Sequence, residues 1–351
     1  MRIAIINLTG GGLSGGGLKT MDNLVPRLIR HPHVKEAQVF VPQKVFQSRL
    51  FSQQSLYTWP DSDMILGYRT LKQKISKFAP DVIYIPNAAW VNFGTIPTVV
   101  MVRNMEALTK PFGGNPVHAM IKNLLRRFRA KIACHQATRI IAVSQFVHEY
   151  LVKKWNIPSH KVDVIYHGVD HVLSLESMAK PKVLYDQDTQ AFVFTAGSLV
   201  SYRGLEDIVR AIAMLKDKSL PYKFIIAGTS PQYMSTYEKK IKYMAERNGV
   251  ASSIVWLGHL SAEEMAWCYC NCQAFIMTSR LEACPNLVLE ALSHGCINIS
   301  TLHPPMPELF GRSALYYTAN RPEQLKKTDI GCYWTVFCRK KTYERNILCN
   351  C

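Results

Sequence analysis

The sequence predicts an α/β protein built from two parallel-sheet domains, and three observations carry that prediction. Short apolar runs alternate along the chain with longer stretches of helical period, the pattern of strands connected by crossover helices. Twelve such runs can be counted, too many for one comfortable sheet. A polar, pattern-poor stretch over residues 171–190 divides them six and six.

In the first half the runs fall at 3–8, 37–41, 81–85, 98–102, 139–144 and 163–166. In the second they fall at 191–196, 222–227, 252–257, 274–279, 296–300 and 314–317. Near-continuous apolar runs of this length belong to parallel strands buried on both faces. Each half opens in the same way, with a strand, a glycine-containing turn and a helix, so each is expected to be Rossmann-like with ligand at the carboxyl ends of its strands. The expected organisation is a first domain over 1–170, a linker over 171–190, a second domain over 191–327 and an atypical tail over 328–351.

Composition narrows the class. A chain of 351 residues suits two domains, and 48% hydrophobic with 19% charged residues is globular. No apolar stretch approaches the ~18 residues of a membrane span. The start, Met1-Arg2-Ile3-Ala4-Ile5-Ile6-Asn7, reads as a strand running into glycines and not as a signal peptide, so a cytoplasmic protein is expected. Of the ten cysteines, Cys268-Tyr269-Cys270-Asn271-Cys272 alternates as C-x-C-x-C, which is not the C-x2-C pairing of structural zinc. Reduced, buried thiols are expected.

The formal charge of +17 is concentrated locally: from Lys110 to Lys161 there are ten Lys or Arg and one acid, Glu149. Inside that window residues 122–131, from Lys122 to Lys131 and including Arg126, Arg127 and Arg129, read as a basic amphipathic helix. Such a helix suits an anionic membrane surface. A solvated helix face is the plainer alternative, and no nucleic-acid module accompanies the charge.

The first glycine loop contains Gly10, Gly12 and Gly15, a formal match to G-x-G-x-x-G. The second strand ends Phe40-Val41-Pro42-Gln43, without the acid that would hold a dinucleotide's ribose. Gly15, Gly16 and Gly17 are better read as a loop that lets sugar or phosphate approach the backbone closely. In the second half Glu282 and Glu290 bracket Ala283-Cys284-Pro285-Asn286-Leu287-Val288-Leu289. Pro285 is expected at the first helical position, leaving the amides of Asn286, Leu287 and Val288 to attract an anion, phosphate above all. Gly295 is expected to end that helix. One acid before a helix start and one inside it can hold both ends of a ligand with phosphate in its middle.

These residues carry a resemblance. Ser279 through Ala291, then Gly295, resembles the E-x7-E signature of the group 1 (GT4-type) retaining glycosyltransferases. Companions occur in the family's order: Ala142-Val143-Ser144; Val164-Ile165-Tyr166-His167-Gly168-Val169-Asp170; Gly197-Ser198-Leu199 with Arg203-Gly204; Ile226-Ala227-Gly228; and Trp256-Leu257-Gly258. The resemblance covers about residues 1 to 325. It implies a GT-B fold of two Rossmann-like domains facing a cleft, an acceptor held mainly by the first and a nucleotide-sugar donor by the second.

Carried onto this chain, the resemblance implies that Glu290 holds ribose hydroxyls and Glu282 the donor sugar. Arg203, with the amides after Pro285, would take the diphosphate. Gly197, Ser198 and Gly258 would line the donor, and Arg203 with Glu282 would serve the chemistry without metal or cofactor. The two glutamates are then not an acid–base pair of the glycosidase type. The implied acceptor is lipid-linked or a polysaccharide, in cell-envelope or exopolysaccharide synthesis, at the inner membrane face.

The chain also departs from the pattern. Ser198 stands where many members have Arg, so one of two phosphate cations is evident. Val102-Arg103-Asn104-Met105-Glu106 stands where many have a histidine, and Arg103, Asn104 or Glu106 is expected to contact acceptor or donor sugar. Asp61-Ser62-Asp63 resembles the D-x-D metal motif of another glycosyltransferase fold, but it follows Trp59-Pro60 in a turn and is read as structural. After Leu325 the tail has no clear amphipathic period and carries four cysteines. Two other readings remain at this point: a sugar-nucleotide epimerase or phosphorylase of the same fold, and a non-catalytic binding protein.

Overall fold

In the computed structural model the alternation resolves into two fully parallel sheets. Strands β1 (Arg2–Ile6), β2 (Glu36–Pro42), β3 (Leu56–Trp59), β4 (Val82–Ile85), β5 (Thr98–Val102), β6 (Arg139–Ala142) and β7 (Val162–Val164) form the first, in the order β3-β2-β1-β4-β5-β6-β7. Strands β8 (Phe192–Ala196), β9 (Lys223–Ala227), β10 (Ile254–Gly258), β11 (Ala274–Met277), β12 (Asn298–Thr301) and β13 (Ala314–Tyr317) form the second, in the order β10-β9-β8-β11-β12-β13. The connecting helices are α1 (Met64–Phe78), α2 (Val117–Gln136), α3 (Gln145–Trp155), α4 (Glu206–Leu215), α5 (Ser235–Arg247), α6 (Ala262–Asn271), α7 (Asn286–Ser293), α8 (Met306–Phe310) and α9 (Pro322–Lys327). The structure describes residues 1–8, 23–42, 56–59, 64–89, 91–106, 108–109, 117–169, 177–185, 191–215, 223–230 and 235–327. Gly15, Gly16 and Gly17, Asp61-Ser62-Asp63 and the tail after residue 327 lie outside these.

The chain divides into two compact units, the first comprising 1–111 and 121–167 and the second comprising 112–120 and 168–351. In each sheet three strands wind one way from the central strand and the rest wind the other, so each has a switch point, between β1 and β4 and between β8 and β11. At such a point neighbouring crossovers leave on opposite faces and a crevice opens at the strand ends.

The apolar runs are buried on both sides, as doubly wound sheets require. Phe192, Phe194 and Ala196 of β8 pack with Phe275 and Met277 of β11 in one cluster, while Val193, Ala274 and Ile276 pack in the other. Local signals set the helix ends. Ser144 caps α3 by accepting from the Val147 amide at 3.2 Å, and Asn156 closes the helix at φ 55°. Ser261 and Glu264 form a reciprocal capping box on α6.

Several expectations are corrected. β3 was not expected: its four residues end against Pro60, and only pairing with β2 at the sheet edge makes them a strand. β11 stops at Met277, two residues early, because Thr278 and Ser279 turn their polar groups to other partners. The Thr278 hydroxyl donates to the Arg203 carbonyl, and the Ser279 carbonyl accepts from the Thr301 hydroxyl at 2.6 Å. Residues 251–253 form a 3-10 turn, so β10 begins at Ile254. Within the expected linker, residues 177–185 pack on the second unit: Leu184 is fully buried in its core and the Ala179 amide donates to the Glu263 carbonyl. No helix among the described residues is long and apolar enough to cross a membrane.

Candidate functional site at the second switch point

Three glycines stand where β8, β9 and β10 end. The Gly197 amide donates to the Ala227 carbonyl at 3.0 Å and the Gly228 amide to the Gly258 carbonyl at 2.6 Å. Both turns are left-handed, φ +124° at Gly197 and +126° at Gly228. A Cβ on Gly228 would lie 1.9 Å from the Gly197 carbonyl oxygen, so no other residue fits there.

Arg203 ends a short 3-10 turn (Ser201–Arg203) after β8, and Gly204 at φ +64° then turns the chain into α4. A Cβ on Gly204 would press to 2.6 Å on the Thr278 carbonyl, so glycine lets this turn sit against the end of β11. The Arg280 amide donates to the Tyr202 carbonyl from the other side. Behind it Arg280 pairs with fully buried Asp207 at 3.2 Å, and Asp207 also accepts from the Tyr317 hydroxyl and the Asn320 amide. A buried ion pair with three donors on its carboxylate fixes geometry more than it adds stability.

On this platform the Arg203 Nη1 lies 2.9 Å from Glu282 Oε1 and donates to the Ser279 hydroxyl at 3.3 Å. The two side chains are 15% and 12% exposed, so the pair is nearly dry. Burial raises the Glu282 carboxyl above its usual range, and Arg203 and then Ser279 pull it back. On the other side of the guanidinium Nε is buried without a hydrogen-bond partner, and Cζ and Nη2 lie 3.0 and 3.1 Å from where a Gly197 Cβ would sit. Leu287 Cδ1 closes the same spot at 3.1 Å. Exposed Ser198 lines this pocket with Gly197 and Arg203.

Glu290 sits in the second turn of α7 and accepts from the Tyr269 hydroxyl at 3.1 Å. Tyr269 is buried, edge-on to Phe194 and Phe275 and stacked on His294, whose Nδ1 donates to the Glu290 carbonyl at 2.7 Å. Burial and then the Glu290 charge hold the phenol protonated. Its own carbonyl accepts from the thiols of Cys272 and Cys296, which explains the cysteines beside it.

The structure therefore gathers Gly197, Ser198, Arg203 and Leu287 with Glu282, while Gly258 stands two strands from β8 at the sheet edge. Pro285 is the N-cap, not the first helical residue as expected, and α7 begins at Asn286. The Val288 amide is used by the Pro285 carbonyl at 3.1 Å, which leaves the amides of Asn286 and Leu287 at the helix start. Gly295 follows the helix at φ +65° as expected. Ser279 and Tyr269 escaped the sequence reading. Tyr269 lies in the cysteine run that drew attention to sulfur, and helical spacing alone does not link it to Glu290.

In the first unit Arg103 follows β5, and among the described residues no carboxylate pairs with it. Burial lowers its pKa, with Tyr84 opposing. His167 is held down to about 4 by burial and then by the Arg103 charge. The Asn104 side chain accepts from the Glu106 amide at 2.8 Å, and Glu106 accepts from Asn123 of α2 at 3.2 Å. Asn104 and Glu106 thus brace their own loop.

Residues 177–328 match the family described as glycosyl transferases group 1, and residues 19–173 match Glycosyltransferase Family 4. The chain belongs to the group 1 (GT4-type) glycosyltransferases. An uncharacterized glycosyltransferase of Methanocaldococcus jannaschii is 25% identical over 170 residues, 47% of this chain and 42% of that protein. The Escherichia coli K12 protein WcaL, named provisionally for colanic acid biosynthesis, is 22% identical over 164 residues, 45% of this chain and 38% of its own. The matched part is thus about two fifths of the length of these curated relatives. The crystal structure of Anabaena HepE with UDP-glucose superposes with a TM-score of 0.72 at 17% identity, over 97% of this chain and 91% of that one. That likeness places the group 1 chain in the GT-B fold.

Proposed function

We propose that this protein is a retaining, metal-independent glycosyltransferase that moves a sugar from a nucleotide-sugar donor to a lipid-linked or glycan acceptor at the inner membrane face. The observation that carries the reading is Arg203, tied to Glu282 and lining one pocket with Gly197 and Ser198. A guanidinium held in this way offers donors to a diphosphate without having to reorganise. The amides of Asn286 and Leu287 and the Ser198 hydroxyl would complete the phosphate contacts, Glu282 would hold the donor sugar and Glu290 the ribose. HepE, crystallised with UDP-glucose, supports a nucleotide-sugar, and WcaL's name supports a polysaccharide product.

In the step itself the bond from the sugar's anomeric carbon to the diphosphate oxygen breaks and charge gathers on phosphate beside Arg203. The acceptor oxygen bonds that carbon on the face the phosphate leaves, and its proton passes to a departing phosphate oxygen. Glu282, paired to a cation, is suited to holding hydroxyls and not to delivering a proton. In the first unit Arg103 would contact the acceptor. The glycine loop Gly15–Gly17 is assigned with it on the family pattern alone.

A thermal-shift screen against nucleotide sugars tests the reading, because a donor that binds only the folded state raises its melting point. Glu290→Gln is expected to raise the donor KM. An unchanged rate in this variant at subsaturating donor refutes the ribose role, and release of an isomerised donor or a sugar phosphate in place of nucleoside diphosphate refutes transfer.

A further inference from the structure

Two polar side chains leave neighbouring strand ends of the first sheet, beside its switch point. Asn87 comes two residues after β4 and Arg103 directly after β5. Ile85 pairs with Val100, so the two stand within one residue of the same level. Doubly wound sheets open a ligand crevice at this place. Both polar atoms of the Asn87 carboxamide, Nδ2 and Oδ1, are buried without a hydrogen-bond partner. A buried carboxamide with donor and acceptor both unmet costs stability until something pairs with it.

Arg103 has the complementary need. Its side chain is partly buried, and among the described residues no carboxylate pairs with it. Glu106, three residues on, accepts from Asn123 of α2 instead. Tyr84 donates its hydroxyl to the Met101 sulfur at 3.5 Å, and its charge partly offsets the effect of burial on Arg103. Met101 and Arg103 are two residues apart, so the phenol lies on the face of β5 that leads to Arg103. His167 stays neutral, its pKa held down to about 4 by burial and then by Arg103. The described cluster therefore holds one positive charge among neutral polar groups and no negative one.

We propose that Asn87 and Arg103 form a subsite for an acidic sugar of the acceptor, one that carries a carboxylate or a phosphate ester. A guanidinium presents paired N–H donors and no acceptor, so two oxygens of one anion match it. A neutral hydroxyl would meet one donor and leave the charge uncompensated, and a cation would be repelled. Asn87 supplies the sugar half of the recognition: its N–H groups donate to a ring or acid oxygen, and its carbonyl accepts from a hydroxyl. The neutral imidazole of His167 adds no competing charge. The proposal names the acceptor class and rests on the transfer reading for that purpose alone.

The test titrates glucuronate, glucose 6-phosphate and glucose into the full chain. Binding is followed at pH 5 by the NMR ring signals of His167, assigned with His167→Gln. The charged sugars are expected to bind and glucose is not. An anion seated on Arg103 offsets its charge, so the His167 signals are expected to move toward the imidazolium. Binding of one charged sugar without the other upholds the subsite and names its acid as carboxylate or as phosphate. Arg103→Gln is expected to weaken binding about tenfold or more, and Asn87→Ala several-fold. Equal binding of glucose, or failure of both charged sugars to bind, overturns the proposal. So does binding that leaves His167 unmoved or persists in Arg103→Gln, the result expected of phosphate held by Arg203. The wild-type titration decides even where a variant fails to fold. A wild type that no nucleotide sugar stabilises sinks the transfer reading, whereas the His167 titration judges the anion subsite by itself.

Discussion

The two units use the same doubly wound plan, yet their strand-end rims are built differently. At the switch point of the second sheet the charged side chains hold one another, although Arg203 Nε and Arg280 Nε are buried without a hydrogen-bond partner. Arg203 is held by Glu282 and Ser279, Gly204 presses the turn onto Thr278, and Arg280 with Asp207 locks the platform from behind. In the first sheet Arg103 stands at the end of β5 with a buried phenol and a neutral imidazole for company and no described carboxylate. Asn87, just past β4, has both side-chain polar atoms buried without a partner. A rim whose charged groups are already paired changes little when a ligand arrives, which suits a ligand of constant shape. A rim with unmet groups depends on its ligand to satisfy them.

Four experiments break or sharpen that contrast. The largest effect is expected for Glu282→Ala, a loss of about 10²–10³ in kcat with the fold retained on circular dichroism, because it removes a contact beside the reacting carbon. Next comes Arg203→Ala, which strands a nearly buried carboxylate. It is expected to cost about 3 kcal/mol in urea unfolding, and adding Glu282→Gln is expected to restore most of the stability and none of the activity. If the double variant is no more stable than the single one, the pair is not the anchor of this rim.

The third experiment crosses the two units. Tyr269→Phe is expected to raise the donor KM several-fold with kcat and acceptor KM unchanged, since it frees the Glu290 carboxylate from one hydrogen bond. Arg103→Ala is expected to raise the acceptor KM and leave the donor KM alone. A variant that moves the other substrate's KM would erase the division between the units.

The smallest effect concerns pH. His167 is depressed from 6.5 to about 4, so between those values the unfolded chain binds a proton that the folded chain refuses. This term lowers stability as pH falls through that window. His167→Gln is expected to flatten the acid side of the stability profile, read as urea midpoints at pH 7 and pH 5. In Arg103→Ala the His167 pKa, followed by NMR, is expected to rise.

Much of the fold could be read along the chain because burial on both faces forces each parallel strand to be apolar throughout. Phe192–Ala196 and Thr98–Val102 announce themselves in this way. β3 could not be read, because Leu56–Trp59 is four residues long and becomes a strand only by adding to β2. Of the site, Pro285 with Glu282 and Glu290 was legible because a proline-started helix restricts residue type locally, whereas Arg203 and the strand-end glycines entered through the family resemblance. Ser279 was quoted only as part of a run, and Tyr269 only as a residue between cysteines.

By itself the sequence determined two α/β units, the positions of their glycine turns, the spacing of the two glutamates and a basic helix. Each of these follows from periodicity or from backbone geometry within a few residues. Only the tertiary structure decided that Arg203 grips Glu282, that Tyr269 holds Glu290, and that Leu124, Leu125 and Phe128 of α2 face outward. The physical reason is the same in all three. Arg203 and Glu282 lie on different crossovers of one sheet, Tyr269 and Glu290 on different helices, and an amphipathic pattern does not say which face the core takes. In α2 the core took the narrow side of Ala130 and Ala133, where backbone can approach closely, and left the leucines and Phe128 outside.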